Sequence, residues 1–192
     1  MPRTTEQNEQ IREATRAKII DSAMVLFAQK GYATTNMRQV AKEAGVSTGL
    51  TYHYFDSKQS LLQAVFDNCM QILAEAFIPL LEIPAPNQRL IALLKIIFTQ
   101  LENDKDFWLL FNVLRTQPTI AEILGEGLLF HTTHLRSLFV NALQEMEWQD
   151  PELESYYLYT LVEGAIQQYL LDPDNYPLQR IADRIIEPYA DS

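Results

Sequence analysis

Thr35-Asn36-Met37-Arg38-Gln39-Val40-Ala41-Lys42-Glu43-Ala44-Gly45-Val46-Ser47-Thr48-Gly49-Leu50-Thr51-Tyr52-His53-Tyr54-Phe55-Asp56-Ser57-Lys58 is the stretch whose reading decides the fold. Met37, Val40, Ala41 and Ala44 recur at i, i+3, i+4 and i+7, one buried stripe of a helix over 37–44. Asn36, with Gln39 three residues on, resembles a capping box and sets the start of that helix. Ala41 is small where two helices would cross closely. Gly45 supplies a sharp turn, and Ser47 can cap a short helix over 48–54. Two short helices joined by a tight turn are the layout of a helix-turn-helix, whose second helix lies in the DNA major groove.

Working outward, Ile19, Ala23 and Phe27 recur every four residues, with Ile20 and Leu26 widening the stripe, so 9–30 is a helix. Lys30-Gly31 ends it. Ser57 can cap a fourth helix running to about Leu80, and Pro79, Pro84 and Pro86 bracket a break. Leu90, Leu93, Leu94, Ile97 and Leu101 place a fifth helix over 87–103, and Asn103-Asp104 starts a sixth over 105–116. Pro118 fits the first turn of a short helix ending near Leu124, with Gly125 and Gly127 interrupting before a long helix over 128–148. Asp150-Pro151, a cap and an N1 proline, opens another over 151–171, and a last helix covers 178–189. No strand pattern is evident. The predicted fold is all-α: a three-helix DNA-binding domain over 1–57, and a helical bundle over 58–192 for ligand binding and dimerisation.

The 192 residues are 47% hydrophobic, which excludes a disordered chain. The net charge of −10 argues against DNA until the chain is divided. Residues 1–58 carry eight Lys/Arg against six Asp/Glu, about +2, whereas the remainder sums to about −12. Local charge decides how a phosphate backbone is met, so the acidic remainder should repel DNA from every face but one. No apolar run reaches membrane-spanning length, Leu90–Phe98 being broken by Lys95. Met1 to Gln10 is polar, unlike a secretory signal. A single Cys69 allows neither an intrachain disulfide nor a cysteine-based zinc site, and a reducing cytoplasm fits it. There is no Gly-rich phosphate loop, Gly-x-Ser-x-Gly, Cys-His pairing or His-Glu-x-x-His, so neither an enzyme nor a cofactor is expected.

Within the quoted stretch, Ser47, Thr48 and Gly49 open the third helix with hydroxyls and amides suited to a phosphate oxygen. Gly49, without a side chain, lets the backbone approach DNA closely. Thr48, Leu50, Tyr52 and His53 can face the groove or its walls, Thr and Leu suiting a thymine methyl and His53 a base acceptor or phosphate. Lys58 is a plausible phosphate clamp, and Thr35 and Arg38 can hold the opposite strand. Phe55 is expected to face the core, and Tyr54 is read as structural.

Leu26-Phe27, Gly31-Tyr32-Ala33-Thr34-Thr35, Val40-Ala41, Ala44-Gly45-Val46-Ser47-Thr48-Gly49, Tyr52-His53-Tyr54-Phe55 and Ser57-Lys58 with Leu61 together resemble the N-terminal domain of TetR-type transcriptional regulators, the tetracycline-repressor family. The resemblance covers residues 11–64. It implies a homodimeric, all-helical regulator with a C-terminal ligand-sensing and dimerisation domain, and it favours a repressor. Thr51 departs from the family pattern, which usually has an aliphatic residue facing the core there; its hydroxyl can bond back to the helix instead.

The C-terminal region is read from its side chains. Phe107, Trp108 and Phe111, with Phe130, His131 and His134 on a later helix, can enclose a small hydrophobic or amphipathic effector. His131 and His134 have a spacing that metal ligands also use, but ordinary polar surface explains them and no metal is expected. Leu135, Leu138 and Phe139 on one long helix, and Tyr157, Leu161, Gly164, Ala165 and Gln168 on the next, form the expected dimer interface. A dimer matches a palindromic double-stranded operator. The function expected is thus a ligand-responsive repressor. The alternative is an architectural or cell-cycle DNA-binding factor with a protein partner and no small-molecule sensor. A solid C-terminal core would favour that alternative, and a cavity on the order of several hundred Å3 would favour sensing.

Overall fold

The structure, a computed structural model, describes residues 4–190, apart from the side chains at 115, 116, 118, 119, 121 and 131. Among the described residues there are nine α-helices and no strand: α1 (Thr5–Lys30), α2 (Met37–Glu43), α3 (Thr48–Tyr54), α4 (Lys58–Phe77), α5 (Pro86–Asn103), α6 (Lys105–Thr116), α7 (Pro118–Glu145), α8 (Pro151–Leu171) and α9 (Leu178–Ile186). Short 3-10 turns follow α4 and α9, at Ile78–Glu82 and Glu187–Tyr189.

Local chemistry sets most of these boundaries. Asn36 accepts from the Gln39 amide while the Gln39 side chain accepts from the Asn36 amide, a complete capping box for α2. Ser47 caps α3 by accepting from the Leu50 amide at 3.1 Å. Ser57 accepts from the Ser60 amide at the head of α4, Asp104 from Phe107 at α6, and Asp150 from Leu153 at α8. Gly31 and Gly45 take positive φ, 81° and 64°, where the chain leaves α1 and turns between α2 and α3.

Two expectations fail along the chain. Gly125 and Gly127 do not interrupt anything, since α7 is continuous from Pro118 to Glu145. Each helical glycine costs only about 1 kcal/mol against alanine, and α7 recovers more by packing along its length on α5, α6 and α8. The segment Lys58–Glu82 is also long and apolar enough to cross a membrane by length and composition alone. Lys58, Asp67, Glu75 and Glu82 divide it into shorter apolar runs. Leu61, Leu62, Val65, Phe66 and Cys69 within it are buried as core.

The chain folds into two compact units, Met1–Met70 and Gln71–Ser192. The division falls within α4 because the first turns of that helix complete the N-terminal core. That core joins Ile19, Ala23 and Phe27 of α1 to Val40 and Ala41 of α2 and to Leu61, Leu62 and Val65 of α4, all nearly inaccessible. In the second unit α5 is central. Its Leu90, Leu94, Ile97 and Leu101 are buried, and it packs on α6, α7 and α9.

Candidate nucleic-acid interface

The third helix has one inward and one outward side. Thr51 is fully buried and Phe55, just past the helix, is 4% exposed, with the Arg16 guanidinium 5.4 Å from its ring centroid. Ser47, Gly49 and His53 are exposed, Leu50 is 37% and Tyr52 49% exposed, and Thr48 and Tyr54 are half-buried. Side chains as apolar as Leu50 and as large as Tyr52 are thus left in solvent beside the N-terminus of α3. His53 lies edge-on to Tyr54, with centroids 5.7 Å apart.

The start of α2 faces the start of α3 across a concavity of about 550 Å3, lined by Asn36, Arg38, Gln39, Lys42, Ser47 and Thr48 among others. Arg38 and Lys42 are both exposed and lie one turn apart on α2. The hollow is thus bordered by the N-termini of two helices and by two cations, a charge arrangement complementary to an anion. Lys42 was not among the expected contact residues, although its i+4 spacing from Arg38 was legible.

Thr51, the departure from the family pattern, keeps the inward place of an aliphatic residue by donating its hydroxyl to the Ser47 carbonyl at 3.3 Å. That carbonyl also receives the Thr51 amide at 3.1 Å. Thr51→Val therefore leaves no carbonyl orphaned and removes a buried hydroxyl. It should stabilise the domain by about 0.5–1 kcal/mol. A rise of roughly 1–4 °C in Tm is expected, and a fall in Tm would show that the hydroxyl is needed.

Two expected DNA contacts are corrected. Thr35 is 2% exposed, and its hydroxyl donates to the Gly31 and Leu26 carbonyls, so it braces the α1–α2 connection from inside. The ammonium of Lys58 donates to the carbonyls of Tyr32 at 2.9 Å, Ala33 at 3.3 Å and Thr35 at 3.0 Å. It also lies 4.3 Å from the centroid of the Tyr32 ring. An ammonium has three donors, so Lys58 is a rivet between the head of α4 and the α1–α2 connection. Tyr32 is itself packed edge-on against Phe27 at 5.3 Å, and burial raises its phenol above the ordinary 10.0.

In the second unit the expected effector residues separate. Phe107, Trp108 and Phe111 are buried, at 3%, 5% and 4% exposure, and form a cluster of rings on α6. Trp108 and Phe111 border an interior cavity of about 10 Å3, whose walls also include Phe77, Leu135, Tyr159 and Glu163. Phe130 is 70% exposed and stacks on the exposed His134, so this pair does not share the cluster's burial. The side chain of His131 lies outside the described residues. The cavity is far smaller than the several hundred Å3 typical of a formed pocket.

The expected dimer residues also separate. Phe139 is fully buried within the subunit, whereas Leu135, which borders the interior cavity, and Leu138 are half-buried. Tyr157, Leu161, Gly164, Ala165 and Gln168 instead share one open groove of about 590 Å3, whose other wall is α9.

Residues 19–65 match the sequence profile of bacterial regulatory proteins, tetR family. The chain is 45% identical over 58 residues to the HTH-type transcriptional regulator HbdR of Aromatoleum sp., a match covering 30% of this chain and 25% of that protein. It thus spans a quarter of the length of that relative. Similarity of fold extends much further. A TetR transcription regulator from Haloarcula marismortui superposes with a TM-score of 0.81 at 20% identity, covering 93% of this chain and 97% of that one. The transcriptional regulator FadR from Bacillus subtilis, solved in complex with stearoyl-CoA, gives a TM-score of 0.75 at 20% identity, covering 90% and 96%. A helix-turn-helix whose α3 faces solvent thus coincides with the segment, residues 19–65, that carries the profile of the tetR family of bacterial regulatory proteins, and the chain as a whole shares the fold of TetR regulators.

Proposed function

We propose that the protein is a cytoplasmic, ligand-responsive transcriptional repressor that binds a palindromic double-stranded DNA operator as a homodimer. The observation that carries this reading is the two-sided α3: Thr51 and Phe55 hold it to the core while Ser47, Gly49, Leu50, Tyr52 and His53 stand in solvent. In this reading Arg38, Lys42 and the N-termini of α2 and α3 receive phosphates. Leu50, Tyr52 and His53 meet base edges or groove walls. Selection from random duplexes followed by mobility shift tests it. Enrichment of an inverted repeat is expected, and an unenriched pool would remove the reading.

Two copies meet, on this proposal, through α8 and α9. Gly164 is exposed in the middle of α8, and a Cβ there would meet nothing within 4 Å. Nothing within the subunit calls for glycine there, and a second copy of the helix lying close does. Gly164→Lys should therefore leave the subunit folded and convert dimer to monomer in sedimentation. Operator affinity should then fall at least about tenfold, because the two half-sites are no longer read together. A persisting dimer would move the interface elsewhere.

The sensing part draws on the family's bundle and on FadR, a neighbour of the same fold that was solved with stearoyl-CoA. A cavity of about 10 Å3 admits no such molecule as it stands. Effector binding therefore selects an opened conformer, in which α4 pivots and the two recognition helices no longer dock together. The shift is bounded by the effector's differential affinity for the two conformers.

A further inference from the structure

We propose, building on the sensing role above, that the interior cavity is specific for an uncharged lipophile bearing a hydrogen-bond acceptor, and that the indole N–H of Trp108 is the group that reads it. Trp108 is 5% exposed, and among the described residues its Nε1 is the one buried side-chain nitrogen or oxygen without a hydrogen-bond partner. Buried donors are nearly always paired, and tryptophan is kept in cores where its N–H can reach an acceptor. A phenylalanine would fill an apolar wall with no such cost. Trp108 also borders the cavity, and on this proposal an acceptor entering it comes within reach of the indole N–H.

The remaining walls narrow the chemistry. Phe77, Phe111 and Leu135 suit an apolar body. The Trp108 donor disfavours a ligand that offers only donors, such as an ammonium. An apolar interior also disfavours a carboxylate or an ammonium, whose charge would be desolvated there without compensation. What remains is a carbonyl, ester or ether oxygen on an uncharged apolar frame. The present volume of about 10 Å3 matches a single water. An organic ligand enters only as the walls part, and Phe77 is the last residue of α4, whose first residue is Lys58.

The test titrates the full chain with four matched probes: acetophenone (uncharged acceptor), ethylbenzene (no acceptor), benzoate (anion) and benzylammonium (donors only). The indole N–H resonance of Trp108, assigned by means of Trp148→Phe, is followed by NMR. Acetophenone should bind about tenfold more tightly than ethylbenzene, roughly the effect of satisfying one buried donor, and should move the Trp108 indole proton downfield. The preference should vanish in Trp108→Phe. It should also vanish when residue 108 carries β-(3-benzothienyl)alanine, which keeps the ring shape with sulfur in place of N–H. Tightest binding by benzoate or benzylammonium, equal binding of acetophenone and ethylbenzene, or an unmoved indole resonance would each overturn the proposal. Operator affinity, measured in parallel, separates it from the sensing role. Acetophenone bound at Trp108 with unchanged operator affinity sinks sensing and supports the cavity's specificity. Operator release by a ligand that leaves the Trp108 resonance unmoved sinks the cavity assignment alone.

Discussion

Gly49→Ala should lower operator affinity by about tenfold or more while leaving the domain as stable as before, or more so. Gly49 is exposed in the first turn of α3, and a Cβ there would meet nothing within 4 Å. Its backbone is not in the left-handed region. Neither packing nor conformation within the subunit therefore requires glycine, and alanine in a helix is favoured over it by about 0.5–1 kcal/mol. On the proposed function, the reason for glycine lies outside the chain. A helix N-terminus that presents its amides to a phosphate needs its backbone close to the DNA, and a methyl group would hold it off. Thermal unfolding should thus show an equal or higher Tm, and fluorescence anisotropy on the selected operator a weaker complex. Unchanged affinity would remove Gly49 from the interface.

Lys58→Met should destabilise the reading head by about 2–3 kcal/mol, from three lost carbonyl bonds and a lost cation–π contact in a half-buried setting. It should leave the salt dependence of DNA binding unchanged. A lysine that clamps a phosphate contributes about 0.9 to the slope of log K against log salt. A lysine whose ammonium is spent on Tyr32, Ala33 and Thr35 contributes nothing to it. Denaturant unfolding and a salt series on the same variant therefore decide between rivet and clamp. A shallower slope with undiminished stability would restore the clamp.

The same lysine illustrates how far the sequence could be read. Lys58 follows a capping serine at the start of a helix, next to a motif that meets DNA, and from the sequence it reads as a phosphate contact. Its partners lie 23 to 26 residues earlier in the chain, and no local pattern records where those carbonyls end up. Thr35 failed for the same reason, its hydroxyl reaching the Leu26 carbonyl nine residues back. Phe111 and Trp108 were legible as interior because aromatic residues recur on one helix. Phe77, Tyr159 and Glu163, from α4 and α8, were not, because only the packing of those helices brings them to the same cavity.

By itself, the sequence determined the helical class, the limits of α3, α6 and α8, and the outward-facing reading helix. Caps and hydrophobic periods act between residues three or four apart, and such bonds form whatever the rest of the chain does. Only the tertiary structure decided that α7 runs unbroken through two glycines and that its Phe139 is spent inside the subunit. It also decided that Tyr157, Leu161, Gly164 and Gln168 share a groove with α9. An apolar stripe states that a helix face will be covered. Which element covers it depends on the competition among all the apolar faces of the bundle, and that is settled by packing.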